Sequence, residues 1–130
     1  MKSSLVLCVD DDYAIRDLYQ SALATYGHSV LAAGNGHQAL QIFQNKHHDI
    51  DAAILDYDMP GMNGFELAVR LKSYAPHLPI LMISGYYPDL DDMTPFVDIT
   101  IGKGVPIMSI VGYLRELIDQ RDNRQGAMPA

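Results

Sequence analysis

The chain has 130 residues, 48% of them hydrophobic and 19% charged, with sixteen acids against nine bases and a formal charge of −7. That is enough for one domain with a real core, and the scattered bases argue against a nucleic-acid surface, which needs clustered Lys and Arg. No apolar stretch approaches the ~20 residues that cross a bilayer, and the segment after Lys2 runs straight into acids, so neither a membrane span nor a signal peptide is expected.

In chain order, Leu5-Val6-Leu7-Cys8-Val9 reads as a buried strand that ends in Asp10-Asp11-Asp12. Cys8, the single cysteine, has no partner for an internal disulfide and fits a small buried hydrophobe; the cytoplasm is the expected compartment. Asp12 is placed to cap a helix over 12–26, in which Ile15, Leu18, Tyr19, Ala22, Leu23 and Tyr26 recur at three- and four-residue steps. Gly27 stops it, and residues 28–33 read as a second strand. Asn35 with Gln38 forms a capping-box signature for a helix that turns Ala39, Leu40 and Phe43 inward. The adjacent His47 and His48 read as a solvated loop.

Ala52-Ala53-Ile54-Leu55 is a third apolar strand, driving Asp56 into the turn Tyr57-Asp58-Met59-Pro60-Gly61-Met62-Asn63-Gly64. Asn63 with Glu66 repeats the capping signature, followed by Phe65, Leu67, Ala68 and Leu71. The fourth strand, Pro79-Ile80-Leu81-Met82-Ile83, ends in Ser84, and the fifth, Val97 to Ile101, ends near Lys103. Between them, two prolines and three acids in 86–95 leave room only for a short or irregular fourth helix. Pro106 suits a helical first turn, and Ile107, Ile110, Val111, Leu114, Leu117 and Ile118 mark a final amphipathic helix. The domain is expected to span 1–122, with 123–130 a disordered tail or the start of a linker.

Continuous apolar strands alternating with helices imply a parallel sheet covered on both faces, an α/β doubly wound, flavodoxin-like sandwich with strand order 2-1-3-4-5. In such sheets the site lies beyond the carboxyl ends of the strands, near the switch between strands 1 and 3. Those two strands end in acids; strands 4 and 5 end in a hydroxyl and near an ammonium. The set suits a phosphoryl group handled together with a divalent cation.

These residues, over about 4–121, resemble the receiver domain of two-component response regulators. Asp56 falls at the family's phosphoacceptor, within a close match to its D-x-x-M-P-x-M-x-G turn. Asp10 and Asp11 match its acidic pair for Mg²⁺, to which Asp56 and the backbone carbonyl of Asp58 also contribute. Ser84 and Lys103 match the hydroxyl and the lysine that bind the phosphoryl group. The resemblance implies a signalling domain rather than a turnover enzyme. A histidine kinase or histidine phosphotransfer protein would donate the phosphoryl group, a downstream effector protein or domain would read the result, and the chain would be a monomer or weak dimer.

Two positions depart from the pattern. Gly104 follows Lys103 where the family has a proline, usually joined by a cis bond, and Thr100 stands where it commonly has a switch aromatic. Tyr86 or Tyr87 is the candidate substitute for that aromatic. The departures leave open an alternative, a pseudo-receiver that binds partners without phosphorylation. Two further rivals fit less well. In a dehalogenase-type phosphatase, Asp56-x-Asp58 would follow the first strand; in a flavodoxin-like electron carrier, Asp10-Asp11-Asp12 would repel the cofactor's phosphate.

Overall fold

The computed structural model describes residues 3–85 and 95–127. Five strands, β1 (Ser4–Val9), β2 (His28–Ala33), β3 (Ala52–Asp56), β4 (Ile80–Ser84) and β5 (Ile99–Gly102), alternate with four described helices. The helices are α1 (Tyr13–Thr25), α2 (Gly36–Lys46), α3 (Gly64–Tyr74) and α4 (Ile107–Ala127). The strands form one sheet of order β2-β1-β3-β4-β5 with every pairing parallel, as expected.

The central strands β1, β3 and β4 are buried on both sides because each side is covered. On one face Leu7, Val9, Leu55 and Met82 pack under Phe43 of α2 and Leu67 and Leu71 of α3. On the other, Val6, Cys8, Ile54 and Leu81 pack under Tyr19 and Leu23 of α1 and Ile110, Val111 and Leu114 of α4. Full burial of each large aliphatic chain stabilises by about 1.5–3 kcal/mol. Cys8 is 1% exposed, and its burial pushes the thiol up to about 12, so it acts as packing and not as a nucleophile.

The helix starts are the ones the side chains dictate. Asp12, Asn35 and Asn63 each accept from a backbone N–H inside the helix they cap: Ala14, Gln38 and Glu66, at 2.8–2.9 Å. The Gln38 side chain reaches back to the Gly34 N–H, one residue before the expected partner. Pro106 sits just ahead of α4, where its carbonyl accepts from Ser109 and Ile110.

Helix α4 continues through residues 123–127, so the tail expected from 123 is helical there. The buried stripe ends near Ile118, but no breaker follows until Gly126, and Arg121 is anchored to Asp51. Leu18 and Tyr26 keep the helical spacing of α1 yet stand exposed, at 51% and 37%. The segment expected to hold a fourth, irregular helix, with Tyr86 and Tyr87, lies outside the described residues, as do 128–130.

Two carboxylates that carry no motif tie the amino-terminal edge of the sheet. Asp51 accepts from the Leu5 N–H and binds Arg121, which also donates to the Asp51 carbonyl. Asp98 accepts from the Ile80 N–H at 2.7 Å and from Lys72 of α3 at 3.0 Å. Both acids sit one step ahead of a strand and fix where it enters.

His28, at the start of β2, is buried, and neither ring nitrogen has a hydrogen-bond partner among the described residues. Its burial, together with the Arg115 charge, holds its pKa below the usual 6.5, against the pull of Asp51. The unfolded chain therefore binds a proton that the fold does not, and stability falls as pH drops below about 6.5. His28→Leu is expected to match or exceed the native stability by about 1 kcal/mol near neutrality. The gap should widen in acid, and urea unfolding at two pH values reads it; identical pH slopes in the two proteins would exclude this role.

Candidate functional site

At the carboxyl edge of the sheet, β1 and β3 lie side by side, with Val9 opposite Leu55. Residues leaving their ends are thereby brought together. Carboxylate oxygens of Asp10, Asp11 and Asp56 lie within 4.8 Å of one another. Asp56 is 3% exposed and Asp10 8% exposed. The Asp12 N–H holds Asp10 Oδ1 at 2.9 Å, and the Asp58 N–H holds Asp56 Oδ1 at 3.1 Å. Arg16 of α1 donates to the Asp10 carbonyl at 2.7 Å and so fixes the backbone of the acidic turn.

Strands β4 and β5 contribute the remaining two groups. Ser84 pairs in register with Gly102, is 2% exposed, and accepts at its carbonyl from the Lys103 N–H at 3.0 Å. The Lys103 ammonium stands 3.5 Å from Asp56 Oδ1 and 3.8 Å from Asp58 Oδ2. Its side chain is half exposed, so these pairings are soft and the ammonium is free to follow a new anion. The described residues contain no cis peptide bond, so Lys103–Gly104 is trans. The ammonium reaches Asp56 along that path without the family's proline.

A cavity of about 470 Å³ opens over these groups, lined by Asp10, Asp11, Asp56 and Lys103 and by the apolar Ile15, Leu18, Val105 and Ile107. That accounts for the exposed Leu18: it forms part of the wall of this cavity. Burial is the main force raising the Asp10 carboxyl to about 6, with Asp56 and Asp11 adding repulsion. Burial likewise raises Asp56, against the Asp58 N–H and Lys103, which pull it down. Crowded anions of this kind are relieved by a cation, and an all-carboxylate donor set suits a hard ion such as Mg²⁺.

Gly64 is a site residue that the capping signature alone does not reveal. A Cβ there would overlap the Asp56 carbonyl oxygen and stand 2.9 Å from its carbon and 2.7 Å from Met82 Sδ. The Gly64 N–H closes the turn onto the Tyr57 carbonyl at 3.0 Å, and Gly61 takes a φ of +77° between them. Arg16 is another, since nothing in its spacing marks a hydrogen bond to Asp10. Asp10, Asp11, Asp56 and Lys103 do converge, Asp58 joins through its side chain and N–H, and Ser84 ends the strand beside Asp56. Tyr86 and Tyr87 lie outside the described residues.

Fold and site together define a parallel α/β domain that gathers three carboxylates and a lysine where its central strands part. Residues 6–100 match the response regulator receiver domain, and the chain belongs to that family of two-component signalling domains. Sporulation initiation phosphotransferase F of Bacillus subtilis is 33% identical over 86 residues, covering 66% of this chain and 68% of that protein. The autoinducer 1 sensor kinase/phosphatase LuxN of Vibrio campbellii is 39% identical over 84 residues, covering 65% of this chain but 10% of LuxN. Among solved structures, a CheY-like receiver domain protein of Methanospirillum hungatei has a TM-score of 0.87 at 25% identity, covering 95% of this chain and 99% of that one. TrrA of Thermotoga maritima, solved in complex with Mg²⁺-BeF, has a TM-score of 0.80 at 27% identity, with 88% and 98% covered.

Proposed function

We propose that Asp56 is the phosphoacceptor of a two-component relay, taking a phosphoryl group from a phosphohistidine on a histidine kinase or histidine phosphotransfer protein. One observation carries the reading: a buried carboxylate at the end of β3 stands within 4.8 Å of two others and 3.5 Å from a half-exposed ammonium. An Asp56 carboxylate oxygen forms the bond to phosphorus as the bond from phosphorus to the histidine nitrogen breaks. The electron pair leaves with the imidazole.

Asp10, Asp11, Asp56 and the Asp58 carbonyl are the ligands we assign to Mg²⁺, which when bound supplies positive charge against the repulsion between carboxylate and phosphoryl oxygens. The Asp58 N–H keeps the Asp56 carboxylate oriented. Lys103 exchanges its soft pairing with Asp56 and Asp58 for a phosphoryl oxygen, and Ser84 donates its hydroxyl to another. The apolar collar of Ile15, Leu18, Val105 and Ile107 gives the donor protein a dry surface around the reacting atoms. The added charge then draws on β4 and β5, and a downstream effector protein or domain reads the shift. No helix of the described residues is long and apolar enough to cross a membrane, and we place the domain in the cytoplasm, where such a donor would meet it.

Intact mass after treatment with acetyl phosphate and Mg²⁺ tests the proposal. The native chain should gain one phosphoryl group, and Asp56→Asn should gain none. A native chain that stays unmodified would leave the pseudo-receiver reading instead.

A further inference from the structure

A second cavity of about 460 Å³ lies at the opposite, amino-terminal edge of the sheet, lined by Lys72, Pro76, His77, Pro79, Asp98, Leu117, Arg121 and Arg124. Its size is that of small-molecule sites, roughly 300–1,000 Å³. Three of the chain's nine basic residues line it, against a single carboxylate, in a protein of net charge −7.

Two of these cations are set in place. Lys72 and Arg121 are only 12% and 15% exposed, each held by an acid that also caps a strand entry: Asp98 for Lys72, Asp51 for Arg121. Each keeps donors in hand. Among the described residues, Lys72 spends one N–H on Asp98, and Arg121 leaves one Nη1 hydrogen uncommitted after Asp51 and Asp122. Arg124, at the outer end of α4, pairs with no described residue, and neither does His77. An anion in the cavity would supply acceptors to several of these donors at once. Pro76, Pro79 and Leu117 make a stiff apolar wall beside them.

The geometry points to a binding site for a small organic anion, a carboxylate or phosphate carried on a compact apolar body. The anionic head lies among Lys72, Arg121 and Arg124, and the body rests on the prolines and Leu117. This site is separate from the Asp56 cavity and does not depend on the proposed phosphotransfer.

Benzoate titrated into the full chain, followed by NMR at backbone and Arg Nε signals, is the direct test; benzyl alcohol and inorganic phosphate serve as comparison probes. Saturable shifts are expected at Lys72, His77, Asp98 and Arg121, with none at Asp10 or Asp56. Benzyl alcohol lacks the charge and inorganic phosphate the apolar body, so each should bind roughly tenfold more weakly. Arg124→Ala, at an exposed position, should leave the thermal midpoint in place and weaken benzoate by roughly tenfold. Equal binding of benzyl alcohol, equal or tighter binding of phosphate, unchanged benzoate binding in Arg124→Ala, or no saturation would each overturn the assignment.

Discussion

Asp10→Asn is expected to raise the thermal midpoint of the metal-free protein near about pH 7.5 and to remove the further rise that Mg²⁺ gives the native chain. The sign follows from burial, which lifts the Asp10 carboxyl from 3.8 to about 6 in the fold. Between those values the folded protein holds a proton that the unfolded chain has released. Stability from this group is complete below the lower value and is lost as pH rises through the upper one. Asparagine carries no charge to desolvate, and its Oδ1 still accepts the Asp12 N–H. The gap between variant and native should be near zero in acid, grow through the window, and level off above it. Solvent screening leaves a gap on the order of 1 kcal/mol, a few degrees in midpoint.

Saturating Mg²⁺ should invert the order. On the proposed ligand set the ion would bind the folded native chain and not the unfolded one, which at about 100 times its dissociation constant stabilises by about 2.7 kcal/mol. Asp10→Asn removes one of the three clustered carboxylates and with it most of that gain. Proton competition for Asp10 also predicts weaker Mg²⁺ binding below about pH 6. Calorimetric titration on either side of that pH, with scanning melts of both proteins, reads all of this. Equal Mg²⁺ stabilisation of variant and native would show that the ion is held elsewhere.

Much of this site was legible because strand ends are. A strand buried on both faces reads as an unbroken apolar run, so the first polar residue after it marks the sheet edge. The parallel order then puts the ends of β1 and β3 side by side. That logic brings Asp10, Asp11, Asp56 and Ser84 to one sheet edge, and Lys103 reaches Asp56 there although Gly104 departs from the family. What stayed hidden was long-range and polar. Asp51 and Arg121 are far apart in sequence, as are Lys72 and Asp98, and no periodicity marks them. The exposed Leu18 looked like a core position because spacing identifies a helix face but not what covers it. The length of α4 is hidden for a related reason: the buried stripe ends before the helix does. Gly64 lay inside a recognised turn, yet its function as a contact surface needs coordinates.

That contact gives the second large effect. Gly64→Ala is expected to cost about 3 kcal/mol, at the upper end for an added methyl group in a tight site. The methyl would be driven into the Asp56 carbonyl, 2.9 Å from its carbon. Backbone cannot swing aside as a flexible side chain can. The Met82 sulfur at 2.7 Å adds a second collision, but it belongs to a flexible side chain and the backbone clash remains without it, so truncating Met82 should not rescue the variant. Helix α3 would have to withdraw, loosening the turn that orients Asp56, so phosphorylation by acetyl phosphate should slow as well as stability fall. Gly104→Ala is the matched control: nothing lies within 4 Å of a Cβ there. Its φ lies outside the left-handed region as well, so its stability should hold or rise by about 0.4–1 kcal/mol through the unfolded state. Urea unfolding of the two alanine variants separates the cases. A Gly64→Ala protein as stable as the Gly104→Ala one would mean that α3 does not press on the end of β3.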